Sequence, residues 1–141
     1  MKLLLSCIDS LSYVEYGDLR EPPSFVRWLK TYADLQPLGI TPEELWELRN
    51  GLLHMTNLNS TSARKNSVRR ISFRVGQSGT VLPDTGSIYF FEFRALIDVL
   101  AQAIGQWANS YNVDREKMVK FVERYDETVS DGRLAIVKIV Q

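Results

Sequence analysis

The spacing of apolar residues predicts that most of the chain is helical. Apolar side chains recur at helical intervals over residues 2–15, and a second stripe follows Ser24, which is placed to cap that helix. Further stripes run over 42–55, along a long segment that begins at Phe93, and after a capping Asp114. The residues that define the five apolar faces are Leu4, Leu5, Ile8 and Leu11; Phe25, Trp28, Leu29 and Tyr32; Leu45, Leu48, Leu52 and Met55; Phe93, Leu96, Ile97, Leu100, Ile104 and Trp107; and Met118, Phe121, Val122 and Tyr125.

The third helix has the clearest start signal in the chain. Thr41 is a good N-cap, Pro42 suits the first helical position, and Glu44 completes a capping box. Ile40 before the cap and Leu45 after it are spaced as a hydrophobic staple. These signals fix where the helix begins, and therefore which faces its later residues occupy.

A short segment between the third and fourth helices has the pattern of β-structure. Residues 70–75 alternate polar and apolar side chains, 76–86 are rich in turn formers, and 87–91 read as the return strand. We therefore predict an antiparallel β-hairpin insert over 69–91. The β-branched run at 133–140 is expected to add a further strand. The predicted fold class is mainly α, a bundle of about five helices with a small antiparallel β-element.

Composition narrows the class of protein. A chain of 141 residues with 17 basic and 17 acidic side chains is expected to form a single domain, 1–141, without a strong pull on nucleic acid or membranes. Cys7 is the only cysteine, so it cannot form a disulfide within the chain, and we expect it to be a small buried core residue. We expect no metal site and no cofactor. The apolar run at the start is too short for a signal segment and no stretch suits a bilayer span, so we expect a cytoplasmic protein without membrane attachment.

Candidate chemistry is concentrated near the end of the third helix. Arg49, Asn50 and His54 lie within six positions, and His54 is the only histidine. Asn50 and His54 are four residues apart, so they are neighbours on one helix face. Arg49 falls at the edge of the apolar face, where its guanidinium must find acceptors or reach water. Gly51 between them favours close approach of another backbone or a ligand.

These residues resemble the Arg-Asn-x-x-x-His form of the motif in HEPN-domain proteins. The resemblance implies a helical bundle, and many family members are metal-independent endoribonucleases that act as toxins or antiviral effectors. It further implies that His54 is a general acid or base, that Arg49 stabilises charge on the phosphate and that Asn50 orients His54. Arg and His of two protomers meet at a dimer interface in the family, so the resemblance implies a homodimer through helix 42–55, RNA as substrate, and an antitoxin or other protein partner.

Two other interpretations stay open. The chain can be a non-catalytic HEPN-like module that binds a protein, nucleotide or nucleic-acid partner, or a domain whose polar helix face has only a structural role. In the structural interpretation His54 interacts with the helix dipole, Arg49 forms an ion pair with a carboxylate on another helix, and Asn50 is a solvated amide.

A basic stretch follows the motif. Arg70 and Arg74 are candidate phosphate-binding residues, and the alternative is that they lie on the solvated face of a strand. Phe73 is expected to face inward, so it does not suit base stacking. The tryptophans Trp28, Trp46 and Trp107 are expected in the core, with Trp46 near Arg49 at a dimer seam. The full basic set is Arg64, Lys65, Arg69, Arg70 and Arg74.

Overall fold

The computed structural model describes residues 1–54, 68–76 and 88–129. Within these ranges the chain forms five helices, a 3₁₀ turn and two strands, so the predicted mainly α class is confirmed. None of these helices has the length and apolar content that a membrane span needs. In chain order the elements are α1 (Lys2–Tyr16), α2 (Ser24–Tyr32), the 3₁₀ turn (Gln36–Leu38), α3 (Pro42–His54), β1 (Arg70–Arg74), β2 (Ile88–Glu92), α4 (Phe93–Ser110) and α5 (Arg115–Val129).

The two strands pair in parallel, so the predicted antiparallel hairpin is wrong. Arg70 lies opposite Ile88, and the register continues to Arg74 opposite Glu92. The alternating pattern locates strands but carries no information on their direction. A connection between parallel strands requires about a dozen residues or more, and residues 75–87 are long enough to provide it. The prediction of a hairpin came from the turn-forming composition of this segment. The strand predicted at 133–140 lies outside the described residues.

The core lies where the first four helices and the sheet meet. The predicted apolar faces of α1 to α4 are buried or half-buried there, apart from Ile97, which is 36% exposed, and Met55, which lies outside the described residues. Each fully buried large side chain contributes about 1.5–3 kcal/mol relative to its exposed state. The largest of these side chains are Trp28, Phe25, Leu5, Ile8, Leu29, Leu45, Leu96 and Leu100.

The start of α3 follows the sequence prediction. The Thr41 backbone N–H donates to Glu44 Oε2 at 2.7 Å, and the Glu44 N–H donates to Thr41 Oγ1 at 3.2 Å. This reciprocal pair is the predicted capping box. Glu44 is also bound by Arg69 Nε at 2.7 Å, which joins the start of α3 to the segment that leads into β1.

Two predictions about single residues are wrong. Ser24 does not cap α2 but is its first residue, and its Oγ donates to the Gly17 carbonyl and accepts from the Leu19 N–H at 3.0 Å. It therefore fixes the α1–α2 connection, residues 17–23. Cys7 is exposed and not buried, because it lies about 100° around α1 from the buried Ile8.

Helix α5 packs in a different orientation from the one predicted. Asp114 Oδ1 accepts from the Lys117 N–H at 3.0 Å, which confirms the predicted cap. However, Met118, Val122 and Tyr125 are 42%, 49% and 47% exposed, so their predicted burial is wrong. The face that contacts the bundle carries two cations as well as Phe121. One of them, Arg124, donates from Nη1 to the backbone carbonyls of Val14, at 3.0 Å, and Glu15 at the end of α1.

The second inward cation of α5 belongs to a buried polar cluster around Glu15 of α1, which we call the Glu15 network. The carboxylate accepts from Tyr32 Oη at 2.9 Å, Trp107 Nε1 at 3.1 Å, Lys117 Nζ at 2.8 Å and the Tyr111 hydroxyl. Burial alone raises the pKa of the Glu15 carboxyl, but the hydrogen bonds from Lys117, Tyr111 and Tyr32 outweigh it, and the pKa is lowered. One carboxylate thus connects α1 to α2, α4 and α5.

Candidate functional site

A cleft of about 430 Å³ opens between α1, the α1–α2 connection, the start of α2 and α3. We call it the α1–α3 cleft. Its charged lining comes from three elements, with Asp9 on α1, Asp18 and Arg20 on the connection, and Arg49 on α3. The aromatic ring of Trp46 lines it beside Arg49. The cleft therefore combines two guanidinium groups, two carboxylates and an apolar surface.

Contacts with Asp9, Asn50 and Trp46 help to hold the guanidinium of Arg49 on the wall of this cleft. Its Nη2 forms an ion pair with the Asp9 carboxylate, and its Nη1 donates to Asn50 Oδ1 at 2.9 Å. Its Cζ lies 4.8 Å from the centre of the Trp46 ring, in cation–π contact. The Arg49 side chain is only 12% exposed, so its orientation is fixed by packing as well as by charge.

Sequence reasoning missed three charged residues of this site, Asp9, Asp18 and Arg20, of which Asp9 forms an ion pair with Arg49. Asp9 lies 40 residues before Arg49, and the two meet only because α1 packs beside α3. One signal was available, since Asp9 is the only charged side chain between Lys2 and Glu15 on an otherwise apolar and hydroxyl-bearing helix. The ion pair agrees with the structural interpretation of Arg49, and the open cleft beside it agrees with the ligand-binding one.

The structure brings two of the three motif residues together. Asn50 contacts Arg49 through its side-chain oxygen. His54 is the last residue of α3, about 140° around the helix and about 7.5 Å along the axis from Arg49, and its side chain is outside the described part of the structure. Orientation of His54 by Asn50 therefore stays a prediction.

The described residues of the basic stretch, Arg69, Arg70 and Arg74, do not line the cleft. Arg70 is partly exposed at the start of β1 and Arg74 is exposed at its end, and neither lines the cleft. Arg69 has a structural role, since it binds Glu44, donates to the Gly39 carbonyl at 2.5 Å and lies 4.2 Å from the Tyr89 ring. The hydrogen bond to Glu44 raises the pKa of Arg69. Any phosphate contact by Arg70 or Arg74 would occur on a separate surface.

The described residues contain no group of three or more His, Cys, Asp or Glu side chains that could hold a metal ion. What the cleft offers is a fixed guanidinium with an exposed counterion, an arrangement suited to recognising a phosphate or carboxylate by exchange of partners. In comparisons with known proteins, the chain matches no family model, no curated protein and no solved structure.

Proposed function

We propose that the protein is a metal-independent, HEPN-like endoribonuclease in which Arg49, Asn50 and His54 act on an RNA phosphodiester. The observation that carries the proposal is the position of Arg49, with Asn50 bound to it, on the wall of an open cleft and on the helix that ends at the only histidine. The arginine fork fits phosphate oxygens, and the imidazole of histidine exchanges protons near neutral pH.

The chemistry needs two proton transfers. A base removes the proton of the ribose 2′-hydroxyl, whose oxygen attacks phosphorus, and an acid donates a proton to the departing 5′-oxygen. Arg49 stabilises the negative charge that grows on the phosphate oxygens between these transfers. A homodimer through α3 supplies two copies of His54, one for each transfer. By the same resemblance we place the activity in a toxin or antiviral setting in the cytoplasm, restrained by an antitoxin or other protein partner.

A second candidate is a non-catalytic module that holds RNA or a nucleotide through its phosphate. The Asp9–Arg49 ion pair favours it, because a guanidinium that is already neutralised and largely covered is better placed for binding than for transition-state stabilisation. Both candidates use the same cleft, and they differ in what His54 does.

Cleavage of a labelled RNA in excess chelator separates the candidates. If the proposal holds, the wild-type protein cuts RNA, and His54→Ala and Arg49→Ala each lower the rate by about 10²–10⁴-fold. Arg94→Ala is the matched control, because the Arg94 side chain is 81% exposed on α4. Circular dichroism at the assay temperature should show a folded protein for all variants, with a lower melting temperature for Arg49→Ala because its ion pair with Asp9 is lost. Binding without cleavage, lost in Arg49→Ala and kept in His54→Ala, would support the second candidate. If the wild-type protein neither binds nor cuts RNA, both candidates are excluded.

The proposed dimer has its own test. Leu53 stays partly exposed on α3, next to the motif. Leu53→Glu is expected to convert the dimer to a monomer by light scattering and to remove cleavage with it. A wild-type protein that is monomeric at the concentrations at which it cuts RNA would contradict an α3 dimer site.

A further inference from the structure

Asp9 differs in origin and charge from Asn50 and Trp46, which also contact Arg49. Asn50 and Trp46 are on the same helix as Arg49 and carry no charge, whereas Asp9 comes from α1 and supplies the negative charge of the pair. The Asp9 side chain is 36% exposed, three times the exposure of Arg49. The carboxylate can therefore reach water if it leaves the guanidinium, while the guanidinium keeps its contacts with Asn50 and Trp46.

We propose that Asp9 is the positioning residue of the site and the counterion that an RNA phosphate replaces when it binds to Arg49. The inference rests on RNA binding at the α1–α3 cleft, which both candidate functions share. A phosphodiester offers two unbridged oxygens to the guanidinium fork, so it can take the place of the carboxylate without leaving the charge of Arg49 unpaired. Before RNA binds, Asp9 keeps the fork directed into the cleft.

Loss of the Asp9 charge should consequently have opposite effects on binding and on rate. Asp9→Asn removes an anion that competes with the phosphate for the Arg49 guanidinium, so RNA binds more tightly. The same change removes the group that directs the guanidinium before RNA binds, so a larger fraction of the bound RNA lies in an unproductive position and the turnover number falls. A residue with only a structural role would lower stability without producing this division between KM and kcat.

Asp18 provides a matched control. It lines the same cleft from the α1–α2 connection and is exposed, so Asp18→Asn removes the same charge from the same cavity. The ion pair with Arg49, however, is made by Asp9. A general electrostatic effect would be equal in both variants, whereas exchange of partners at Arg49 requires a larger effect for Asp9→Asn.

The experiment measures binding of a fluorescent 2′-O-methyl oligonucleotide, which cannot be cleaved, by anisotropy, and cleavage of the unmodified RNA. Asp9→Asn should bind about five- to tenfold more tightly than wild type at low salt, as expected for removal of one nearby, partly screened charge. Its kcat should fall while its KM falls too. Asp18→Asn also removes a negative charge from the cleft lining, so it should tighten binding too, but by no more than about twofold, the effect of a screened exposed charge. In an Arg49→Gln background, Asp9→Asn should no longer change the affinity.

Equal effects of Asp9→Asn and Asp18→Asn, weaker binding by Asp9→Asn, or an effect that persists with Arg49→Gln would each overturn the inference while leaving the proposed function standing. Absence of oligonucleotide binding by the wild-type protein would contradict both the role of Asp9 and the proposed function. A second measurement needs no variant. The side-chain carboxyl ¹³C resonance of Asp9 should shift when the oligonucleotide is titrated into wild-type protein, and an unmoved resonance at saturation contradicts the exchange.

Discussion

Replacing Glu15 by Gln should destabilise the protein strongly, although the side chain keeps its size. The carboxylate accepts from four side-chain donors and compensates Lys117, whose side chain is 18% exposed. An amide presents one oxygen and one NH₂, so it cannot accept at both positions and it leaves the ammonium without its anion. Lys117 keeps Tyr32 Oη at 2.6 Å and Ser110 Oγ at 2.5 Å as acceptors, so we expect the low end of the range for a broken buried pair, about 3 kcal/mol.

Urea unfolding followed by tryptophan fluorescence and circular dichroism measures this loss. The exposed Glu123→Gln on α5 is the matched control and should change the free energy of unfolding by less than about 0.5 kcal/mol. Lys117→Met in the Glu15→Gln background should cost less than the sum of the two single changes, because it removes the unpaired charge. A loss below about 1 kcal/mol for Glu15→Gln, the value of one ordinary hydrogen bond, would show that the network does not hold the helices together.

The same pair of proteins gives a pH prediction. The folded-state pKa of Glu15 lies below its ordinary value of 4.5. A carboxyl with a depressed pKa contributes stability that is present above the unfolded pKa and is lost as the pH falls through the folded pKa. The stability difference between wild type and Glu15→Gln should therefore be constant from pH 7 down to about pH 5 and shrink below that value. A difference that grows on acidification would contradict the lowered pKa.

Two further changes test the packing. Gly39 has a φ of 62°, and a Cβ there would lie 2.6 Å from Tyr89 Oη. Gly39→Ala should therefore lower the free energy of unfolding by about 1–2 kcal/mol in a urea titration. The control is Gly105→Ala, since a Cβ at Gly105 would have no atom within 4 Å. On α5, Val122→Ser should change stability by less than about 0.5 kcal/mol, whereas Phe121→Ala should cost about 2–3 kcal/mol; equal losses would mean that the outer face of α5 is covered.

The parts of the fold that the sequence predicts well depend on local interactions. The capping box at Thr41 and Glu44 involves residues three apart, and the apolar faces of α1 to α4 follow from helical period alone. The orientation of α5 could not be obtained in this way, because Met118, Val122 and Tyr125 look as apolar as a buried face. Its packing is decided by Lys117 and Arg124, which find acceptors more than 90 residues earlier in the chain.

The candidate site also combines features that local sequence predicts with features that depend on packing between distant parts of the chain. That Arg49 needs an acceptor follows from its place at the edge of an apolar face, but the choice of Asp9 depends on how two helices pack. The direction of β2 relative to β1 is likewise not contained in the alternating pattern of either strand.

The contact of Arg124 with the end of α1 has a consequence for regulation. The α1–α2 connection that lines the cleft starts at Gly17, two residues after the Glu15 carbonyl that Arg124 holds, and a Cβ at Gly17 would be 3.7 Å from Arg124 Nε. Helix α5 therefore contacts the end of α1 and the start of the α1–α2 connection, which lines the cleft, without lining the cleft itself. A protein that bound α5 would change the affinity of the cleft for its ligand, and the ligand would change the affinity of α5 for that protein by the same factor.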